Sequence, residues 1–382
     1  MTRGVNTPQL ALLAAVILMG GCAGGELSHS IPDHGVSDLI RERLVVSEDS
    51  RGFVTATSFK PFIPLGFNYD RDYRMRLLED YWESEWDTIE EDFAEMKALG
   101  ANVVRIHLQF AKFMRGPEDL NAASLKRLGR LLTLAERTGL YLDLTGLGCY
   151  RKTDVPAWYD ALDEGSRWRA QARFWEGIAE CCRRSPAVFC YNLMNEPAVP
   201  GAKRKAGDWL LGEFGGFCYV QAITLDPAGR PRDDIAREWT ETLTRAIRRQ
   251  DPGRLVTVGL LPNSLPGDPY SSGFVPSRIA PIVDYVSVHL YPKTGKLDEE
   301  LKRLQAFNVG KPVVIEELFP LECTATELGE FMNRSRGDAS GWIGFYWGQT
   351  PEELRRTNTI PASLTLKWLE LFQTLARGDL KP

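Results

Sequence analysis

The amino-acid sequence predicts an α/β protein built as a (β/α)8 TIM barrel, with a small N-terminal hairpin capping the bottom of the barrel. Three observations predict it. Short apolar runs that fit buried parallel strands recur eight times, and amphipathic helical stripes separate them. No Gly-x-Gly-x-x-Gly turn follows the first run, as an open dinucleotide-binding sheet would require. Polar residues collect where the runs end, which in such a barrel is the mouth that carries function. A length of 382 residues suits one large barrel or two average domains; the unbroken alternation favours the barrel.

The first residues stand outside that fold. Arg3 precedes an apolar run from Leu10 to Met19, followed by Gly20-Gly21-Cys22. The run is too short to span a bilayer and fits a secretory signal. Small residues directly before Cys22 resemble a bacterial lipoprotein signal, which implies cleavage before Cys22 and a lipid on it. The plainer alternative is an ordinary signal peptide cleaved nearby. Either way the mature protein is exported, and a lipid on Cys22 would hold it to a bacterial membrane, periplasmic or cell-surface. Residues 23–43 are polar, carry Gly, Ser and Pro, and read as a flexible tether. The folded domain then spans 44–378. Its first pieces, Leu44-Val45-Val46, Phe53-Val54 and Phe62-Ile63, alternate with turn residues and predict the capping hairpin.

The predicted strands are Ile63–Asn68, Asn102–Leu108, Leu140–Thr145, Val188–Asn195, Leu255–Leu260, Tyr285–Leu290, Val313–Glu317 and Trp342–Trp347. Between them, Trp86, Ile89, Phe93 and Met96 share one helical face, as do Leu125, Leu128, Leu132 and Ala135. Ile235, Trp239, Leu243 and Ile247 form another stripe, and Leu364, Trp368, Leu371 and Leu375 close the chain. Gly100 and Gly139 sit where helix C-terminal glycines belong. One connection is out of scale: Pro197 to Asp234 is far longer than a barrel loop needs, and it holds Trp209, Phe214, Phe217 and Tyr219. Beside the fourth strand's mouth it would wall a cleft; the alternative is an insertion packed on the rim.

Net charge −5 with mixed signs carries no nucleic-acid footprint. Beyond Cys22 lie Cys149, Cys181, Cys182, Cys190, Cys218 and Cys323, for which an exported protein permits disulfides without choosing a pairing. No CxxC or Cys/His ligand spacing occurs, so neither a metal site nor a cofactor is expected.

Chemistry gathers at the strand ends: Asn68, Arg105, His107, Thr145, Asn195, Glu196, His289, Tyr291, Glu316, Glu317 and Trp347. Two of the buried runs close in carboxylates, Val188 to Asn195 in Glu196-Pro197 and Val313 to Ile315 in Glu316-Glu317. Two carboxylates on separate strands facing one mouth are what glycoside cleavage needs. Asn195-Glu196-Pro197, His289-Leu290-Tyr291-Pro292 and Glu316-Glu317, in that order after the fourth, sixth and seventh strands, resemble family 5 glycoside hydrolases and the wider clan of retaining barrel glycosidases. The resemblance runs from about Val46 to the last helix.

That resemblance implies roles. Glu196 matches the general acid/base, and Asn195 the residue that holds the sugar's 2-hydroxyl. Arg105 and Tyr291 match donors flanking the nucleophile. His289 matches a cleft-lining histidine and Trp347 an aromatic platform beneath the sugar; Asn68 would line the same mouth. The family places its nucleophile at the last Glu before an apolar residue, here Glu317 before Leu318. Strand parity lets only one of Glu316 and Glu317 face the mouth but does not say which, because an undetected bulge would change it. Two departures stand at the sugar-binding rim: Leu318-Phe319 replaces the usual aromatic and Gly, and Asp143-Leu144-Thr145 lacks the histidine of Asp-x-His. The expected substrate is an oligo- or polysaccharide, a β-glucan, β-mannan or related glycoside. A lipid-anchored sugar-binding barrel without activity, and a transglycosylase using the same two glutamates, are the competing functions.

Overall fold

The computed structural model describes residues 39–379 except positions 41, 70, 71, 73, 215, 346 and 347. The expected export signal, Cys22, most of the tether and Trp347 therefore lie outside the described residues. No described helix is long and apolar enough to cross a membrane.

Eight parallel strands close into a barrel: β1 (Leu65–Asn68), β2 (Val103–Gln109), β3 (Tyr141–Gly148), β4 (Val188–Asn195), β5 (Leu255–Leu260), β6 (Val286–His289), β7 (Val313–Leu318) and β8 (Gly341–Gly344). They match the eight expected runs, with no end displaced by more than three residues and the fourth and fifth strands coinciding at both ends. The third and eighth depart most: β3 runs on to Gly148, and β8 as assigned ends at Gly344. The helices of the outer ring are α1 (Trp86–Leu99), α2 (Ala122–Thr138), α3 (Glu164–Cys182), α4 (Arg232–Gln250), α5 (Pro276–Ile279), α6 (Leu297–Gln305), α7 (Ala325–Arg334) and α8 (Ile360–Thr374).

Local chemistry sets the helix ends. Asn121 caps α2 by accepting from the Ala123 amide, and Gly139 ends it at φ 74°, a left-handed turn that costs glycine little. Asp163 caps α3, and Thr324 with Glu327 forms a capping box on α7. The expected stripes face inward: Trp86, Ile89, Phe93 and Met96 of α1 and Ile235, Trp239, Leu243 and Ile247 of α4 are buried.

Packing is close under β8. A Cβ on Gly344 would lie 1.9 Å from Cζ2 of Trp368. The buried indole is fenced by Phe67, Phe319 and Phe372 and has nowhere to move. Gly344→Ala is expected to destabilise the barrel by roughly 1–3 kcal/mol or more through overpacking. A thermal unfolding midpoint equal to that of the unchanged protein would refute this packing.

The cap at the barrel bottom is a three-stranded antiparallel sheet, Leu44–Val46, Phe53–Thr55 and Pro61–Phe62, rather than the expected hairpin. Pro61 has no N–H to donate, which suits only an edge strand and hides it among turn residues in the sequence. Leu44 and Phe53 plug the base against Val103, Tyr141, Phe189 and Val314. The expected tether is already docked at its end: Ile40 donates to the Glu136 carbonyl, and Arg43 pairs with Asp251 at 3.2 Å.

The long connection after β4 is ordered as a small sheet of Pro197–Ala198, Leu210–Phe214 and Phe217–Ala222. Trp209 is not a cleft wall. It is buried, its indole N–H donates to the Asp160 carbonyl, and its ring stacks on the Arg167 guanidinium at 4.1 Å. Phe217 lies under Arg151, and the Phe214 side chain is outside the described set. The insertion is thereby pinned to the rim, with the Tyr219 ring beside Tyr150 and its carbonyl accepting from Asn195.

Candidate active site

Strand β4 delivers two of the expected residues. A register shift against β5, where Thr257 pairs with Asn192 but Gly259 with Asn195, brings Asn192 and Asn195 to the interior although they are three apart. Glu196 follows at φ 46°, a left-handed conformation that is costly for a side chain with a Cβ. The surroundings enforce it. The Glu196 amide donates to the Gly259 carbonyl, and its own carbonyl accepts from the Gln221 amide of the insertion. The Glu196 side chain remains 12% exposed, at the mouth. Gly259 also makes room: a Cβ there would meet His289 Nε2 and Arg105 Nη2 at 3.2 and 3.3 Å.

Strand β7 resolves the Glu-Glu ambiguity. Its registers shift between Ile315 and Leu318 against β8, and against β6 between the Val288–Ile315 and His289–Glu317 pairs. This bulge lets consecutive glutamates both reach the interior, at different depths. Glu317 faces the mouth, where it accepts from Arg105 Nη1 at 2.8 Å and from the Tyr291 hydroxyl at 2.7 Å. Glu316 lies below, fully buried, accepting from Asn192 Nδ2 at 2.7 Å and from the Ser287 hydroxyl, with the Tyr285 hydroxyl 2.9 Å away.

His289 joins the two mouth carboxylates. Its Nδ1 is 2.8 Å from Glu196 Oε1 and 3.5 Å from Glu317 Oε2. A carboxylate oxygen of Glu196 and one of Glu317 lie within 4.8 Å of each other. Their proton affinities diverge. Burial raises the Glu196 carboxyl above the ordinary glutamate range, against His289, and the charge of Glu317 adds to the rise. Burial opposes ionisation of Glu317 as well, but His289, Arg105 and the Tyr291 hydrogen bond outweigh it and hold that carboxyl below the ordinary range. The two neighbouring carboxyls are thus held on opposite sides of the ordinary glutamate range.

The remaining expected residues divide. Arg105 is fully buried and donates through Nη2 to Asn195 Oδ1 at 2.8 Å and through Nη1 to Asn68 Oδ1 at 2.7 Å. Asn195 Nδ2 donates to the Tyr219 carbonyl at 3.1 Å. Asn68 does not line the mouth. It is sealed beneath it, with Nδ2 donating to the Glu316 and Gly344 carbonyls, and so buttresses Arg105. His107 is buried against Tyr150, one strand away from the position of the missing histidine.

The layer under the mouth is not legible as such in the sequence: Asp143, expected at the sugar-binding rim, is sealed below it, Cys190 stood only among the cysteines, and Asn192, Tyr285 and Ser287 were passed over. Its signal was present as polar residues inside apolar strands, legible only once the bulges are known. Two triads, Glu196–His289–Glu317 and Asp143–Cys190–Glu316, bring donor atoms within 4.8 Å of one another, the spacing a cation would need. Both border the Arg105 guanidinium, which already supplies the positive charge. The six described cysteines are free thiols.

A family model described as Cellulase (glycosyl hydrolase family 5) matches residues 66–345, from β1 to just beyond β8. No curated protein matches in sequence. Among solved structures, the exo-β-1,4-mannosidase Op5Man5 from Opitutaceae bacterium strain TAV5 superposes with a TM-score of 0.64 at 18% identity, over 87% of this chain and 62% of that one. The chain thus spans less than two thirds of that protein. A GH5_18 variant from Streptomyces cattleya in complex with Manb1-4GlcNAc gives 0.62 at 16% identity, covering 84% and 82%. The endo-1,4-β-mannanase from Rhizomucor miehei gives 0.61 at 17%, covering 86% and 99%. At these identities the structures speak for the barrel alone; the family match, spanning all eight strands of the barrel, makes this chain a member of glycosyl hydrolase family 5.

Proposed function

We propose that the chain cleaves a β-glycosidic bond with retained anomeric configuration, using Glu317 as nucleophile and Glu196 as general acid and then base. The observation that carries this is the approach of two carboxylate oxygens to within 4.8 Å. Retaining enzymes hold their carboxyl groups about 5–5.5 Å apart, whereas inverting ones leave about 6.5–9.5 Å for a water.

The chemistry follows from the environments. Ionised Glu317 attacks the anomeric carbon while Glu196 gives its proton to the departing oxygen. Arg105 and Tyr291 fix the attacking carboxylate and keep it charged in a buried site. Once Glu317 is esterified its charge is gone, and with it one of the causes that raise Glu196. Glu196, which has already passed its proton to the departing oxygen, then stays ionised more readily and, as the carboxylate, takes the proton of the water that attacks. Asn195, oriented by Arg105 and the Tyr219 carbonyl, keeps one amide N–H for the sugar's 2-hydroxyl.

The proposed substrate is a β-linked mannoside or glucan. Mannosides come first because the structural neighbours named above are a mannosidase and a mannanase. We further infer export through residues 1–22, a lipid on Cys22 and a short tether to the barrel base, on the strength of the apolar run and Gly20-Gly21-Cys22.

The test is stereochemical. During early hydrolysis of an aryl β-mannoside or β-glucoside followed by proton NMR, the β-hemiacetal is expected first and the α-anomer only by mutarotation. Initial release of the α-anomer would overturn the mechanism. Adding an acceptor sugar separates hydrolysis from transfer, and failure to turn over any of a panel of β-glycans would favour a binding barrel.

A further inference from the structure

Under the mouth lies a carboxyl pair that the proposed reaction does not use. Asn68, Arg105, Asp143 and Cys190 are successive register partners across β1, β2, β3 and β4, so they form one layer of the interior. Glu316 reaches the same layer from β7. Oxygens of Asp143 and Glu316 and the Cys190 sulfur lie within 4.8 Å of one another, and both carboxyls are fully buried. Arg105 Nε is 3.8 Å from Asp143 and 3.7 Å from Glu316, while its Nη1 serves Glu317. Three carboxylates therefore surround one guanidinium.

The donors are unevenly shared. Glu316 is encircled by Asn192, Ser287 and Tyr285 and is equipped to accept. Asp143 accepts from Thr145 at Oδ1, 3.3 Å away, its other side-chain neighbours at hydrogen-bonding range are the Cys190 thiol and the Glu316 carboxyl itself, and its Oδ2 is buried with no ordinary donor on it. We propose that Asp143 and Glu316 share one proton, carried on Asp143 Oδ2 and donated toward Glu316, and that this singly charged pair positions Arg105 against Glu317.

The other titratable groups facing the pair are consistent with it. Burial keeps the Cys190 thiol and the Tyr285 hydroxyl protonated, so neither adds charge. Arg105 brings the positive charge, His289 also faces the pair and opposes the rise of Glu316, and Glu317 stands on the far side of Arg105. Burial first and Asp143 second push the Glu316 carboxyl up to about 8, and burial raises Asp143 as well. The folded protein keeps a proton that the unfolded chain releases, so this contribution to stability is complete below the ordinary value of 4.5. It is lost as the pH climbs to about 8 and is constant beyond.

The positioning half rests on Glu317 being the nucleophile; the shared proton does not, so stability and activity are read separately. Asp143→Asn replaces the shared proton with an amide N–H, and Asp143→Leu removes it. Thermal midpoints from pH 5 to 9 are expected to show Asp143→Asn gaining on the unchanged protein up to about pH 8, then running parallel. Parallel curves throughout would overturn the shared proton. In assays, Asp143→Leu is expected to lose roughly 10²-fold in kcat with little change in KM, the cost of about an ångström of misplacement, and Asp143→Asn to restore most of it. Equal kcat in the two variants would overturn the positioning role. If Asp143→Leu does not fold, the Asp143→Asn pH series still decides the proton.

Discussion

Replacing Glu317 by glutamine is expected to lower kcat by roughly 10⁴-fold or more while leaving a folded barrel. The amide has the shape of the carboxylate but neither its charge nor its nucleophilicity. Glutamine is preferred to alanine because the site is enclosed: alanine would leave Arg105 and Tyr291 donating into a void, and an unpaired buried charge is strongly destabilising. The measurement is kcat on an aryl β-glycoside beside a circular dichroism melt. An alanine variant that does fold should be rescued by azide or formate, which would attack from the vacated side and give an α-configured product. Activity near that of the unchanged protein in Glu317→Gln would remove Glu317 from the role. If Glu316→Gln were then the inactive variant, the depth ordering set by the β7 bulge would fail with it.

Replacing Glu196 by alanine is expected to cost roughly 10²–10⁴-fold, and the loss should depend on the leaving group. A natural sugar alcohol needs a proton as it departs; a nitrophenolate does not. On a dinitrophenyl glycoside the first step should survive, the second should stall for want of a base, and a burst of phenolate should precede a slow steady state. The pH profile gives an independent check. Turnover requires Glu317 ionised and Glu196 protonated. With one carboxyl held below the ordinary glutamate range and the other above it, activity should fall on the acid side with Glu317 and on the alkaline side with Glu196. In Glu196→Ala the alkaline limb should vanish for the activated substrate. An unchanged alkaline limb, or equal losses on good and poor leaving groups, would show that Glu196 is not the acid.

How far the sequence reached can be seen at particular residues. Val188–Asn195 was readable to the residue, because a fully buried strand ending in Asn-Glu-Pro has apolar chemistry on one side and a donor-less proline on the other. The inward stripes of α1 and α4 were readable because helical periodicity is local. Trp209 could not be placed between cleft and rim, since an aromatic among glycines looks the same whether it faces a cleft or a guanidinium. Asn68 was placed at the mouth because it ends a strand; its depth depends on the Glu316 and Gly344 carbonyls far along the chain.

The order of strands, the family motifs and the two mouth glutamates as candidates follow from the linear chain, because apolar runs, helical stripes and strand-end carboxylates are local properties of neighbouring residues. Which glutamate of the Glu316-Glu317 pair faces outward, why the other stays buried, and how far apart Glu196 and Glu317 stand were decided only by closing the barrel. Register shifts between β4 and β5 and between β7 and its neighbours set the depth of each side chain. A register exists only between strands, and proton affinity depends on the charges that a register brings together.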